Sequence, residues 1–216
     1  MKAHLARAAF YSGIIPFLAR VLPSDGFRIL MYHHVTDRPE PFLPHVTAPI
    51  FRKQMKYLKA NYRVVCLESV VNKLLAEEPI PPRTVALTFD DEYEDVYENA
   101  FPVLKEYELP ATIFIATGFV DTDGLPWTDE LGFIFKQTDR TDLRLEVEGE
   151  PIVFRWREGD SKFRAFRELK NLLKSFPEEK RRRHFERIKS LLSTPEKNPN
   201  RILSSEQIQI MSRAGM

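Results

Sequence analysis

Through its first half the chain alternates short hydrophobic runs with amphipathic stretches. The run "RILMYHHV" (28–35) is apolar on both faces as far as its histidines, which predicts a buried strand. In "TAPIFRKQMKYLKANY" (47–62), Phe51, Met55 and Leu58 recur at helical spacing behind an entry marked by Thr47 and Pro49, so a helix is predicted. "RVVCLESVV" (63–71) predicts a short strand that leads into a helix near "VNKLLAEE". "TVALTFDD" (84–91), entered through the stop signal "PIPPR", is the clearest strand; a helix over 96–109 and a strand over 110–116 follow it. A strand-to-helix rhythm of roughly 25–30 residues is what βα units around a parallel sheet require.

From about Gly118 the rhythm stops. "GFVDTDGLPWTDELGFIFKQ" reads as a loop and a short helix, and "LRLEVEGEPIVFRW" alternates apolar and polar positions around a glycine, as a hairpin does. Two amphipathic helices follow, separated at Pro177. Phe163, Phe166, Leu169 and Leu173 line one, and Phe185, Ile188 and Leu192 the other. The expected organisation is a helical lead-in over 1–27, βα units over 28–117, an insertion over 118–200 and a further helix over 201–216.

Composition narrows the classes. The 216 residues, 43% hydrophobic with 16 Phe, can bury the core of one domain or most of one. A formal net charge of +1 gives no general attraction to nucleic acid or an anionic membrane. The lone cysteine, Cys66, excludes an intrachain disulfide. The apolar stretch from Ala8 to Leu18 is too short to span a bilayer and is interrupted by Gly13 and Pro16, so no transmembrane segment is expected there. It also lacks a secretory h-region followed by a cleavage site, which favours a cytoplasmic expectation and leaves the compartment open. Residues 160–192 hold eleven Lys or Arg against five Asp or Glu, a run expected to be a solvated face.

The chemistry concentrates at the end of the clearest strand. Ligands of parallel α/β folds sit beyond the carboxyl ends of the strands, where Asp90 and Asp91 stand with Glu92 behind them. Two adjacent carboxylates are costly to desolvate without a metal, an arginine or a shared proton. The structural alternative is one Asp capping a helix and the other in solvent.

"TFDDEY…VYENAFPVLKEYELPATIFIA", together with "MYHHV", "FRKQMKYLKANYRVVCLESVV" and "ILSSEQIQIMSRAGM" in that order, resembles the polysaccharide deacetylases, the NodB-homology family of carbohydrate esterases. The resemblance covers most of 28–117 and then 202–216. It implies an α/β fold, the N-terminal part of a distorted (β/α) barrel with a helical and hairpin insertion and an incomplete barrel. It also implies metal-assisted hydrolysis of N- or O-acetyl groups on a carbohydrate. By that resemblance Asp90 is the general base and Asp91 a ligand to a divalent metal, zinc in most of the family, because a metal polarises the carbonyl while an unligated carboxylate takes the proton.

The family's His-Ser/Thr-x-x-His metal motif is not among these residues; His4, His33, His34, His45 and His184 include no i, i+4 pair. The expectation is therefore a partial chain that ends near where those ligands begin, inactive alone and open to a complementing C-terminal fragment. Glu92 stands where the family usually has glycine; it either narrows the pocket, adds a third acid, or points to solvent, the last being favoured. His33 and His34 are further pocket candidates, against one satisfied in the core and one solvated. Trp127, with Asp129 and Glu130, is a candidate sugar-facing wall or a structural feature under the insertion. A non-catalytic glycan-binding module is the alternative function. Phosphoryl transfer is disfavoured, since the acid pair lacks the Asp-x-Asp spacing and downstream lysine of a phospho-aspartyl enzyme and no Gly-rich phosphate loop is present.

Overall fold

The computed structural model describes residues 26–38, 40–157, 159–192 and 196–216. The lead-in expected over 1–27 lies outside them except for its last two residues. The first half is built on strand β5 (Thr84–Phe89), in which every residue is buried. Strand β1 (Phe27–Tyr32) pairs with it in parallel along its full length, from Phe27 opposite Thr84 to Tyr32 opposite Phe89. The other edge of β5 is shared by two shorter parallel partners. Strand β4 (Arg63–Val65) pairs with its start and β6 (Thr112–Ile113) with its end. The chain is thus α/β with a parallel sheet, and among the described residues the sheet stays open rather than closing into a barrel.

Helix α1 (Ala48–Asn61) buries Phe51, Met55 and Leu58, the three residues that its spacing put on one face. They pack with Leu87, Phe89, Leu104 and partly buried Leu30 and Tyr32 in the first core. Helix α2 (Leu67–Leu75) begins earlier than its sequence suggested, directly after β4.

Three expectations need correction. The run 28–35 is not one strand buried on both faces: His33 interrupts it, and a two-residue strand β2 (His34–Val35) pairs instead with β3 (His45–Val46). On β1, Leu30 and Tyr32 meet the core while Ile29 and Met31, on the opposite face by strand alternation, are exposed. The helix over 96–109 starts as a π-helical turn (Val96–Ala100) before α3 (Phe101–Glu106). Pro102 has no N–H for an i−4 bond and its ring crowds that carbonyl, which accounts for the widened turn before it. The strand over 110–116 shrinks to two residues: Pro110 cannot donate at its start, and at its end the N–H of Phe114 adds one last bond, to the Phe89 carbonyl at 2.8 Å.

The second half packs around its own core. Helix α4 (Trp127–Gln137), the hairpin β7 (Asp142–Val147) and β8 (Glu150–Arg155), and helices α5 (Asp160–Lys174) and α6 (Glu178–Leu192) enclose Leu131, Phe135, Leu145, Trp156, Phe166, Leu169 and Ile188. The hairpin closes through Glu148 and Gly149, both at positive φ (57° and 84°), the backbone signature of a type I′ turn. Phe163 is the exception to the predicted face: it is exposed and only flanks the core through Phe42 and Phe166.

Helix α7 (Ser205–Arg213) opens with a reciprocal capping box, Ser204 Oγ accepting from the Gln207 N–H and Gln207 Oε1 from the Ser204 N–H. The segment before it runs antiparallel to the loop after β5. Tyr93 bridges Ile202, and the N–H of Glu94 donates to the Arg201 carbonyl at 2.9 Å. Phe135 is fully buried against Phe42, Trp156 and Phe166. Phe135→Ala should therefore cost about 3–5 kcal/mol in urea unfolding, and a loss below about 1 kcal/mol would show that the second core is not tightly packed.

Candidate active site

The ladder between β1 and β5 continues one residue past the strand, because the Asp90 N–H donates to the Tyr32 carbonyl at 3.0 Å. The next two residues leave the sheet in left-handed conformation, Asp91 at φ 68° and Glu92 at φ 28°. Aspartate tolerates this region better than most residues, whereas glutamate pays a steric cost that glycine would not. What holds Glu92 there is its own carboxylate. Its side chain is 1% exposed, Oε2 accepts the Ala116 N–H at 2.6 Å, and its backbone carbonyl accepts the Leu203 N–H at 2.8 Å. Burial pushes its carboxyl above the ordinary range, against the pull of the Ala116 bond. The expectation that Glu92 points to solvent is thus corrected: it turns inward and ties the turn after β5 to the loop after β6.

The two neighbouring histidines part ways. His33 is partly exposed, and its Nε2 lies 4.0 Å from Asp91 Oδ2. Partial burial raises the Asp91 carboxyl; His33 pulls it back, while Asp129 and Asp90 push it further up. His34 is 2% exposed, with Nδ1 2.8 Å from Asp95 Oδ2 and Nε2 3.4 Å from Asp129 Oδ1. The second contact is an ion pair without hydrogen-bond alignment. The imidazole stacks on Tyr93 with ring centroids 3.6 Å apart, and the Tyr93 hydroxyl donates to Asp129 Oδ2 at 2.5 Å. Burial alone would lower the His34 pKa; the close contacts and charges of Asp129 and Asp95 outweigh it and push it up to about 9. Burial and the nearby carboxylates drive the Tyr93 phenol far above its ordinary value.

The proposed sugar-facing wall is not formed. Asp129 is buried in this network, Glu130 pairs with Lys189 at 3.4 Å, and Trp127 packs edge-on against Phe185 with Arg181 over its ring. Nor does His34 offer a free imidazole to a ligand. Tyr93 and Asp95 escaped the sequence reading; their only local signal was proximity to the Asp pair. Asp95 also accepts the Val35 N–H at 3.1 Å, so it secures the backbone of β2 as well as the imidazole.

Asp91 and His33 face each other, but among the described residues no group of three or more His, Cys, Asp or Glu could hold a metal ion. Zinc takes four ligands, three of them from protein in hydrolytic sites. The residues present do not fit a complete metal centre.

Residues 77–142 match the family model described as "Polysaccharide deacetylase". This stretch is thus similar to a NodB-type polysaccharide deacetylase domain. The matched stretch contains Asp90, Asp91 and their neighbours Tyr93, Asp95 and Asp129. The chain is 30% identical over 102 residues to a poly-beta-1,6-N-acetyl-D-glucosamine N-deacetylase of Escherichia coli (strain K12), covering 46% of this chain and 15% of that protein. It is 40% identical over 70 residues to the enzyme of the same description from Staphylococcus aureus (strain MSSA476), covering 32% of this chain and 24% of that one. It therefore spans well under half of either relative's length. The solved structure of IcaB from Ammonifex degensii aligns at TM-score 0.43 and 27% identity over 51% of this chain and 49% of that one.

The raised His34 pKa gives the fold a pH signature. A histidine whose folded pKa is raised contributes stability in full below its unfolded value near 6.5 and loses it as pH rises through about 9. Unfolding free energy should fall by on the order of 1–3 kcal/mol between those limits, and His34→Gln should flatten that slope in urea titrations at a series of pH values. An unchanged slope in the variant would show that another group sets it.

Proposed function

We propose that this domain removes acetyl groups from the amide nitrogens of an N-acetylated glucosamine polymer. The carrying observation is the pair Asp90 and Asp91, side by side where β5 ends and the chain turns off the sheet, within the stretch that matches the deacetylase family. The named substrate of both relatives, poly-β-1,6-N-acetyl-D-glucosamine, supports the choice of polymer.

Asp90 is the group assigned to the proton. It takes a proton from water as the water oxygen bonds to the acetyl carbon; collapse of the tetrahedral adduct breaks the C–N bond, and the nitrogen leaves with a proton as the amine. The products are acetate and a glucosamine unit. Asp90 can serve because its backbone is held by the last bond of the β1–β5 ladder while its side chain stays partly accessible. Asp91, opposite His33, is the anchor assigned to a divalent cation, with zinc as the candidate. Bound there, the cation would supply polarisation of the acetyl carbonyl. Two donors alone hold such an ion weakly. The incomplete donor set favours one second reading, a module that binds the glycan without cleaving it.

Acetate release from β-1,6-linked N-acetylglucosamine oligomers, with and without added zinc, separates the two. Hydrolysis by the protein that drops about 10²–10⁴-fold in Asp90→Asn supports the deacetylase reading. A variant that keeps the parent rate removes Asp90 from the mechanism, and saturable oligomer binding with no acetate released selects the binding module.

A further inference from the structure

The basic run on the insertion is divided in the fold. Several of its cations are engaged in holding the structure: Lys180 pairs with Glu148 at 2.6 Å and lies over the Phe176 ring, Arg181 covers Trp127, and Lys189 pairs with Glu130 and Glu186. Arg183 and Arg187 do something else. One turn apart on α6, they line a cleft of about 580 Å³ together with His184, and the hairpin contributes Arg144 from β7. Glu146 is the one acid in that lining. Like charges at i, i+4 destabilise a helix, so this arrangement has no folding benefit of its own. The field in the cleft is positive: burial first, then the charges of Lys180 and Arg183, hold the His184 pKa below its ordinary value.

We propose that this cleft is a binding site for the phosphate groups of an anionic polymer, separate from the Asp90 site, with Arg144, Arg183 and Arg187 as its recognition groups. Guanidinium forks match phosphate oxygens in pairs, and arginines converging from a strand and a helix can engage successive phosphates. The surface is concave, and none of the large exposed apolar side chains lies in it to enter a bilayer, which favours a soluble polyanion over a lipid surface. The Lys180–Glu148 pair fixes the hairpin turn to α6 and thereby sets the distance between the two walls.

The test uses the full chain and inorganic tripolyphosphate, titrated calorimetrically at fixed ionic strength. Saturable binding is expected. It should weaken about tenfold or more in the pair Arg183→Gln with Arg187→Gln. The pair Arg164→Gln with Arg167→Gln, an equal charge change on the exposed face of α5, should stay within about twofold. Arg144→Gln, on the hairpin, provides the second probe of the same cleft and should also weaken binding if the helix pair fails to fold. No saturable binding, or equal weakening by the control pair, would overturn the site in favour of diffuse charge. Binding to phosphatidylglycerol vesicles that tripolyphosphate does not displace would overturn it in favour of a membrane surface. Because the readout is binding, it stands or falls independently of acetyl hydrolysis.

Discussion

An imidazole sealed between two carboxylates holds the two halves of this molecule in register. His34 comes from the short strand β2, Asp95 from the start of the helical turn after β5, and Asp129 from the insertion. Taking three ionisable groups out of water is costly, and only their mutual pairing offsets it; with one partner removed, the others would be buried and uncompensated. The arrangement is therefore closer to all-or-none than to a sum of contacts. Tyr93 closes it from the other side, stacking on the imidazole and donating to Asp129. Because Tyr93 follows the Asp pair by two residues, the insertion is coupled to the turn that displays them.

That turn has a second restraint in Glu92. At a position where a left-handed backbone suits glycine, this chain has a glutamate and uses its carboxylate to bind the Ala116 N–H. A backbone penalty on the order of 1–2 kcal/mol is accepted for a bridge between the loops after β5 and β6. The consequence for the site is rigidity: Asp90 is fixed by the ladder behind it, Asp91 by the turn, and Glu92 is removed from the pocket altogether.

The cation side of the site is less developed than the proton side. Asp91 and His33 share one partly exposed rim, yet no third donor approaches among the described residues. The raised Asp91 carboxyl is what a carboxylate shows when burial and neighbouring acids are not fully answered by positive charge. The same imbalance is not found around His34, where each carboxylate has a partner to face.

Much of the fold was legible because it rests on spacing. The 3.6-residue period placed Phe51, Met55 and Leu58 on one face of α1, and strict alternation with a central glycine marked the hairpin. The strand ending in Asp90 and Asp91 could be placed for the same reason. Period states which residues share a face but not what that face will meet. His33 and His34 are equivalent by pattern, and Glu92 and Asp129 are polar residues in polar surroundings. Their fates were decided by groups far along the chain: Asp95 lies 61 residues from His34, and Asp129 lies 36 from Tyr93. Local order along the chain determined the elements and the carboxylates at their mouth. Which acids stayed at the surface and which were locked inside was decided only when packing excluded water around them, since desolvation cost depends on neighbours that spacing does not name.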